Sequence, residues 1–226
     1  MSGRRRLREN GLSLFFAGIF LLAVVGQSVS GVALFNREQL SAGLEPVSIG
    51  QYVASSAFAV DLTENWQSEF LQFLVYIGAT VWLVQRGSPE SKALNRAGLE
   101  SDEDQRVAEH ADARSPAWAR VRGWRLRVYS HSLVLVMGGI FLGSWFVQSL
   151  TGAVAHSEEQ MRDFADPVTW TEYLVLPDFW SRTLQNWQSE FLAVLCMVVF
   201  SIYLRERGSP ESKPVGAPHD ATGIES

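Results

Sequence analysis

Two glutamates set in apolar surroundings are the residues best placed to do chemistry. Glu69 lies within Asn65-Trp66-Gln67-Ser68-Glu69-Phe70-Leu71, and Glu190 lies within the same seven letters, Asn186 to Leu192, 121 positions later. A carboxylate beside a bilayer's hydrocarbon is costly unless it is paired, hydrogen-bonded or wet, and such groups mark ion and proton pathways. The sequence offers three kinds of partner: the free N–H groups of a helix start, the nearby Asn65, Gln67 and Ser68 (Asn186, Gln188 and Ser189 in the second copy), and Gln27 and Gln148 on a neighbouring helix. Inward from Glu69 one helical face reads Gln72, Tyr76 and Thr80. Its counterpart reads Glu190, Ala193, Met197 and Ser201, so only the acid and the deep hydroxyl recur.

The elements that must hold these residues are four apolar stretches, about 12–35, 65–84, 132–155 and 186–204. Each approaches the roughly 20 residues that a helix needs to cross a bilayer. The overall mean hydropathy of +0.04 hides this clustering. From Glu69 to Arg86 is about 25 Å of helix at 1.5 Å per residue. A span shorter than the hydrocarbon layer leaves the carboxylates at or slightly inside one boundary, while the arginines snorkel to the other.

The offset of 121 reaches beyond the glutamates. Arg86-Gly87-Ser88-Pro89-Glu90-Ser91-Lys92 recurs as Arg207 to Lys213, Gly18-Ile19-Phe20-Leu21 as Gly139-Ile140-Phe141-Leu142, and Tyr52 as Tyr173. The organisation expected is a first two-helix repeat over 1–92, a linker over 93–124, a second repeat over 125–213 and a disordered tail over 214–226. Gly31 and Gly152, one turn after Gln27 and Gln148, and Gly139 with Gly143 are candidate close-packing positions. Ser48-x-x-Gln51 and Thr169-x-x-Glu172 have the capping-box pattern and predict a short helix in each outer loop. Gly87 and Gly208 suit helix ends, and Ser88-Pro89 and Ser209-Pro210 suit helix restarts. In the linker, 105–113 is a candidate solvated helix. Arg114, Arg120, Arg122, Arg125 and Arg127 among Trp118 and Trp124 suit anionic headgroups better than nucleic acid.

Lys and Arg divide sixteen to three between the N-terminal, middle and C-terminal segments and the two intervening loops. The positive-inside rule then places both termini in the cytoplasm. Arg4, Arg5, Arg6 and Arg8 before an apolar run resemble a secretion signal. The length of the run, and its internal copy, indicate a retained helix instead. Cys196 stands alone, so an intramolecular disulfide is impossible. His110, His131, His156 and His219 make no metal spacing, and no catalytic motif is present. No enzyme activity, metal or cofactor is expected.

The start Arg5-Arg6-Leu7-Arg8-Glu9-Asn10-Gly11-Leu12-Ser13-Leu14, with the two repeated motifs, resembles an uncharacterised family of bacterial inner-membrane proteins, a domain of unknown function. The resemblance covers nearly the whole chain and implies a location in the bacterial inner (plasma) membrane without any activity. The expected fold is all-α, an integral membrane four-helix bundle of two tandem two-helix repeats with both termini cytoplasmic. The expected function is a non-enzymatic membrane assembly or scaffold component, in contact with lipid and with a second copy or another membrane protein. The alternative is a small channel or transporter with an ion, proton or small-solute site between the repeats. Topology is directly checkable. A cysteine placed at Gly43 should label from outside the cell and one at Ala111 only from the cytoplasm; the reverse pattern inverts the assignment.

Overall fold

In the computed structural model residues 7–223 are described. Arg4, Arg5 and Arg6 of the basic start, and the last three residues, lie outside that range. The described chain is helical throughout its regular parts: α1 (Gly11–Ser41), α2 (Ile49–Val53), α3 (Ser56–Trp82), α4 (Trp124–Ser130), α5 (Ser132–Arg162), α6 (Trp170–Tyr173) and α7 (Pro177–Tyr203), with a 3₁₀ turn at Ala108–His110. The bounds of α5 lie 121 residues after those of α1, and the bounds of α7 lie 121 after those of α3.

Three helices, α1, α5 and α7, are long and apolar enough to cross a membrane. Along α1 the mean hydropathy reaches 2.1 and no residue is fully buried, so most of its apolar surface is open. The sequence predicts a fourth span, and α3 has the length for one, 27 residues or about 40 Å. Its polar residues, Asn65, Gln67, Gln72 and Thr80 among them, interrupt the apolar run, so no stretch of it is as continuously apolar as in the other three.

The second helix of each half begins nine residues earlier than the apolar pattern indicates, at Ser56 and Pro177. A search for uncharged stretches stops at Asp61 and Glu64, yet a helix projecting beyond the hydrocarbon carries such residues without penalty. Pro177 opens α7, where its fixed φ fits and its missing N–H is no loss. The linker differs from expectation as well. Residues 105–113 form only the 3₁₀ turn, and the regular helix is the basic-aromatic segment α4.

The chain divides into two compact units, each taking residues from both halves: residues up to Leu62 with Val147–Leu176, and Thr63–Phe146 with the residues from Pro177 on. In the first unit both capping boxes form as expected. Ser48 and Gln51 cap α2, and Thr169 and Glu172 cap α6. Each short helix buries one tyrosine, Tyr52 against Phe35 and Phe58, and Tyr173 against His156. Asn36 pairs with the backbone of Val47 at 2.7 and 2.8 Å, and its counterpart Ser157 pairs with Val168 at 3.1 Å.

Gly31 and Gly152 are packing positions, but against these tyrosines rather than a long helix. A Cβ on Gly31 would overlap the Tyr52 hydroxyl, and one on Gly152 would lie 2.6 Å from that of Tyr173. Gly139 and Gly143, expected to pack a neighbouring helix, have nothing within 4 Å of a Cβ; Gly138 faces Leu74 instead. Helix phase decides this. One step along the chain turns a side chain by about 100°.

The ends of α1 and α5 differ in a way that sequence matching misses. Gly43, at φ 74°, ends α1 in the left-handed conformation that glycine adopts freely, and Leu44 N–H returns to Gln39 O at 2.8 Å. At the corresponding place after α5, Phe164 takes φ 60° and Ala165 N–H returns to Gln160 O at 2.9 Å. The Phe164 side chain is fully exposed, so no packing offsets the strained backbone. Phe164→Gly should therefore stabilise the protein by about 1 kcal/mol, read as a raised melting temperature in mild detergent. Gly43→Phe should lower it.

Candidate functional site: a cavity between α3 and α7

The seven-letter motifs lie well inside their helices, not at their starts. Glu69 is thirteen residues from the start of α3, and Glu190 is thirteen from that of α7. Their local N–H groups are therefore committed to the helix ladder, and helix-start capping, the first partner expected from sequence, is ruled out. The serines are not donors to the glutamates. Ser68 and Ser189 each bond back, at 2.9 Å, to the carbonyls of Asn65 and Asn186. Asn186 Nδ2 donates to Arg182 O at 2.9 Å, and Asn65 is exposed. Gln27 is half-buried in the first unit. Gln148 is wholly buried with neither amide atom hydrogen-bonded, so the expected reach to a carboxylate is not made.

The identical words occupy different surroundings. Gln67 and Ser68 are buried, whereas Gln188 and Ser189 are exposed. Both polar atoms of the Gln67 amide have a partner: its Oε1 accepts from Trp187 Nε1 at 2.7 Å and its Nε2 donates to Glu64 O at 3.1 Å. Trp187 belongs to an aromatic group with Phe141, Trp145, Phe179 and Trp180. Farther out, Arg182 of α7 pairs with Glu64 of α3 at 3.2 Å. These contacts register α3 against α7, and Glu69 and Glu190 come close enough to interact electrostatically.

Inward from the glutamates the polar face of α3 and the largely apolar face of α7 meet around a cavity of 530 Å³, lined by Gln72, Phe73, Tyr76, Ile77 and Thr80 of α3, Ala193, Val194 and Met197 of α7, and Glu90 and Glu211. Gln72 Nε2 bridges to Glu190 O at 3.3 Å. The Tyr76 hydroxyl donates to Glu90 Oε2. Glu90 and Glu211, one from each loop, thus line the same cavity. Sequence reasoning missed this second acidic pair. The signal was present: each acid follows its partner glutamate by 21 residues, and each was passed over as part of a loop motif.

That loop motif is built alike in both copies. Gly87 and Gly208 adopt φ 85° and 86° in turns several residues past the helix ends, not at them. Ser88 and Ser209 accept from the N–H of Glu90 and Glu211 at 3.3 and 3.2 Å, and no helix restarts after the prolines. Ser91 and Ser212 accept from the N–H of Gln85 and Glu206 at 2.8 and 2.9 Å. The motif thus makes a rigid return that aims its glutamate back at the helices.

The lysines fasten the return. Lys92 donates to Gly98 O at 2.9 Å, and Lys213 donates to His219 O at 2.9 Å, six residues on in each case. Lys213, almost wholly buried, also donates to Gly87 O at 2.6 Å and to Pro218 O and Ala221 O at 3.2 Å. Burial, with Arg205 nearby, pushes its ammonium below the ordinary value; Asp220 acts the other way. Residues 214–223 are therefore not the disordered tail expected from their composition. They lie over the first loop, where Thr222 accepts from Gly87 N–H at 2.8 Å and Gly223 N–H reaches Ser88 O at 3.1 Å. Cys196 is free and half-buried. Among the described residues no group of three His, Cys, Asp or Glu is arranged to hold a metal.

Burial raises the Glu90 carboxyl above its ordinary value of 4.5; the Tyr76 hydrogen bond lowers it, and the bond and charge of Glu211 raise it further. The folded state thus holds this proton more tightly than the unfolded chain does. Stability should be full below about pH 4.5 and fall as pH rises through the elevated value. Melting temperatures in detergent across pH 4 to 9 should show that decline in the wild type and a flatter profile in Glu90→Gln.

No curated protein and no solved structure matches this chain. Residues 3–224 match the family described as Domain of unknown function (DUF6766). The chain belongs to that family.

Proposed function

We propose that this protein is a four-span, tandemly duplicated protein of the bacterial inner membrane that carries a cation or proton through a site between the second helices of its two repeats. Both termini are cytoplasmic in this reading, the fourth span is α3, and the protein catalyses no reaction. The observation that carries the proposal is the cavity between α3 and α7, with Glu69 and Glu190 toward one end and Glu90 and Glu211 at the other. Acidic groups at both ends of a passage within membrane-crossing helices favour cations and exclude anions. The assembly role, also expected from sequence, has no comparable support, because lipid suffices to cover the exposed apolar helix faces.

Purified protein in liposomes should pass protons or a monovalent cation. The double variant Glu69→Gln with Glu190→Gln should reduce that flux at least tenfold while eluting as a folded species. Wild-type liposomes that pass neither protons, alkali ions nor organic cations would return the protein to the assembly reading. In that case the same variant would lose only stability or partner retention.

A further inference from the structure

We propose that the cavity between α3 and α7 binds a lipophilic organic monocation, with the carboxyls of Glu90 and Glu211 as its counter-charge. This rests on the transport reading above and names the substrate class for the same site.

The walls select against a bare inorganic ion. Phe73, Ile77, Ala193, Val194 and Met197 provide no oxygen, whereas a small hard cation requires about six or more oxygen ligands or its own water. The polar side chains of the wall are already engaged. Gln72 donates to Glu190 O, the Tyr76 hydroxyl to Glu90, and the Thr80 hydroxyl to Ile77 O. No lysine or arginine lines the cavity, so nothing in it neutralises the carboxyls. A cation that carries its charge within an apolar shell fits such walls. Phe73 and Tyr76 add aromatic faces of the kind that attract organic cations, and Met197 adds a flexible side chain that adapts to irregular shapes. At 530 Å³ the cavity falls within the range of small-molecule sites, roughly 300–1,000 Å³.

The counter-charge comes from the loops. Glu90 and Glu211 both line the cavity, and the Tyr76 hydroxyl donates to Glu90. Glu211 is exposed and marks the side of the cavity that meets water. A second cavity of 440 Å³ shares Tyr76, Thr80 and Glu90 with the first and continues along Leu83, Gln85, Ser88 and Ser91. The Tyr76–Glu90 hydrogen bond thus stands between the binding cavity and the loop side, and breaking it when the cation arrives would join the two.

The test uses tetraphenylphosphonium as probe and the full chain in mild detergent, followed by calorimetry. Binding should be saturable, and Glu90→Gln and Glu211→Gln should each weaken it at least tenfold. Met197→Trp, which leaves the carboxyls in place and fills the cavity, should block binding with circular dichroism and elution unchanged. Absence of saturable binding, binding unaffected by both glutamine variants, or binding retained in Met197→Trp overturns the proposal. If wild-type liposomes still pass protons or alkali ions in those cases, the substrate class alone is wrong; if they pass nothing, the transport reading fails with it.

Discussion

A polar group packed among apolar side chains must find its partner within the protein, and that constraint registers the second helix of one half against that of the other. Along α3 and α7 most of the polar side chains that line the contact are engaged. The two serines bond back to their own helices, Gln67 takes the indole of Trp187, and Gln72 reaches the backbone of Glu190. Tyr76 takes Glu90. The helices are therefore registered by polar contacts, while the apolar residues between them leave a cavity.

The loops that follow α3 and α7 complete this arrangement. A left-handed glycine, two serines accepting backbone N–H groups and a lysine donating to carbonyls make each return rigid without a helix or strand. The two returns place Glu90 and Glu211 in the lining of one cavity. Buried Lys213 reaches both its own tail and the first loop, so the second copy of the motif helps to hold the first. Identical letters therefore stand in unlike surroundings: Lys213 reaches Gly87 O of the first loop, whereas Lys92 reaches Gly98 O of its own segment.

The same divergence explains what could be misread. Gly139 and Gly143 have the spacing of a packing motif but sit at the wrong helix phase, while Gly31 and Gly152 accommodate tyrosines from short helices. Phe164 repeats the left-handed turn of Gly43 without glycine's freedom, and no local preference announces it. The early starts of α3 and α7 were hidden because charged residues end an apolar run without ending a helix.

Much was legible beforehand, for local reasons. Apolar length marks α1, α5 and α7, capping boxes mark α2 and α6, and the constant offset predicts the matching bounds of the long helices. These features depend on neighbouring residues and on the solvent they meet, both of which a sequence records. The face Glu69, Gln72, Tyr76 and Thr80 was likewise readable from helical spacing. What faces it was not. The opposition of α7, the second acidic pair from the loops and the tail held by Lys213 join residues more than a hundred positions apart. Such contacts follow from how packed helices exclude and share space, and only the tertiary structure decides them.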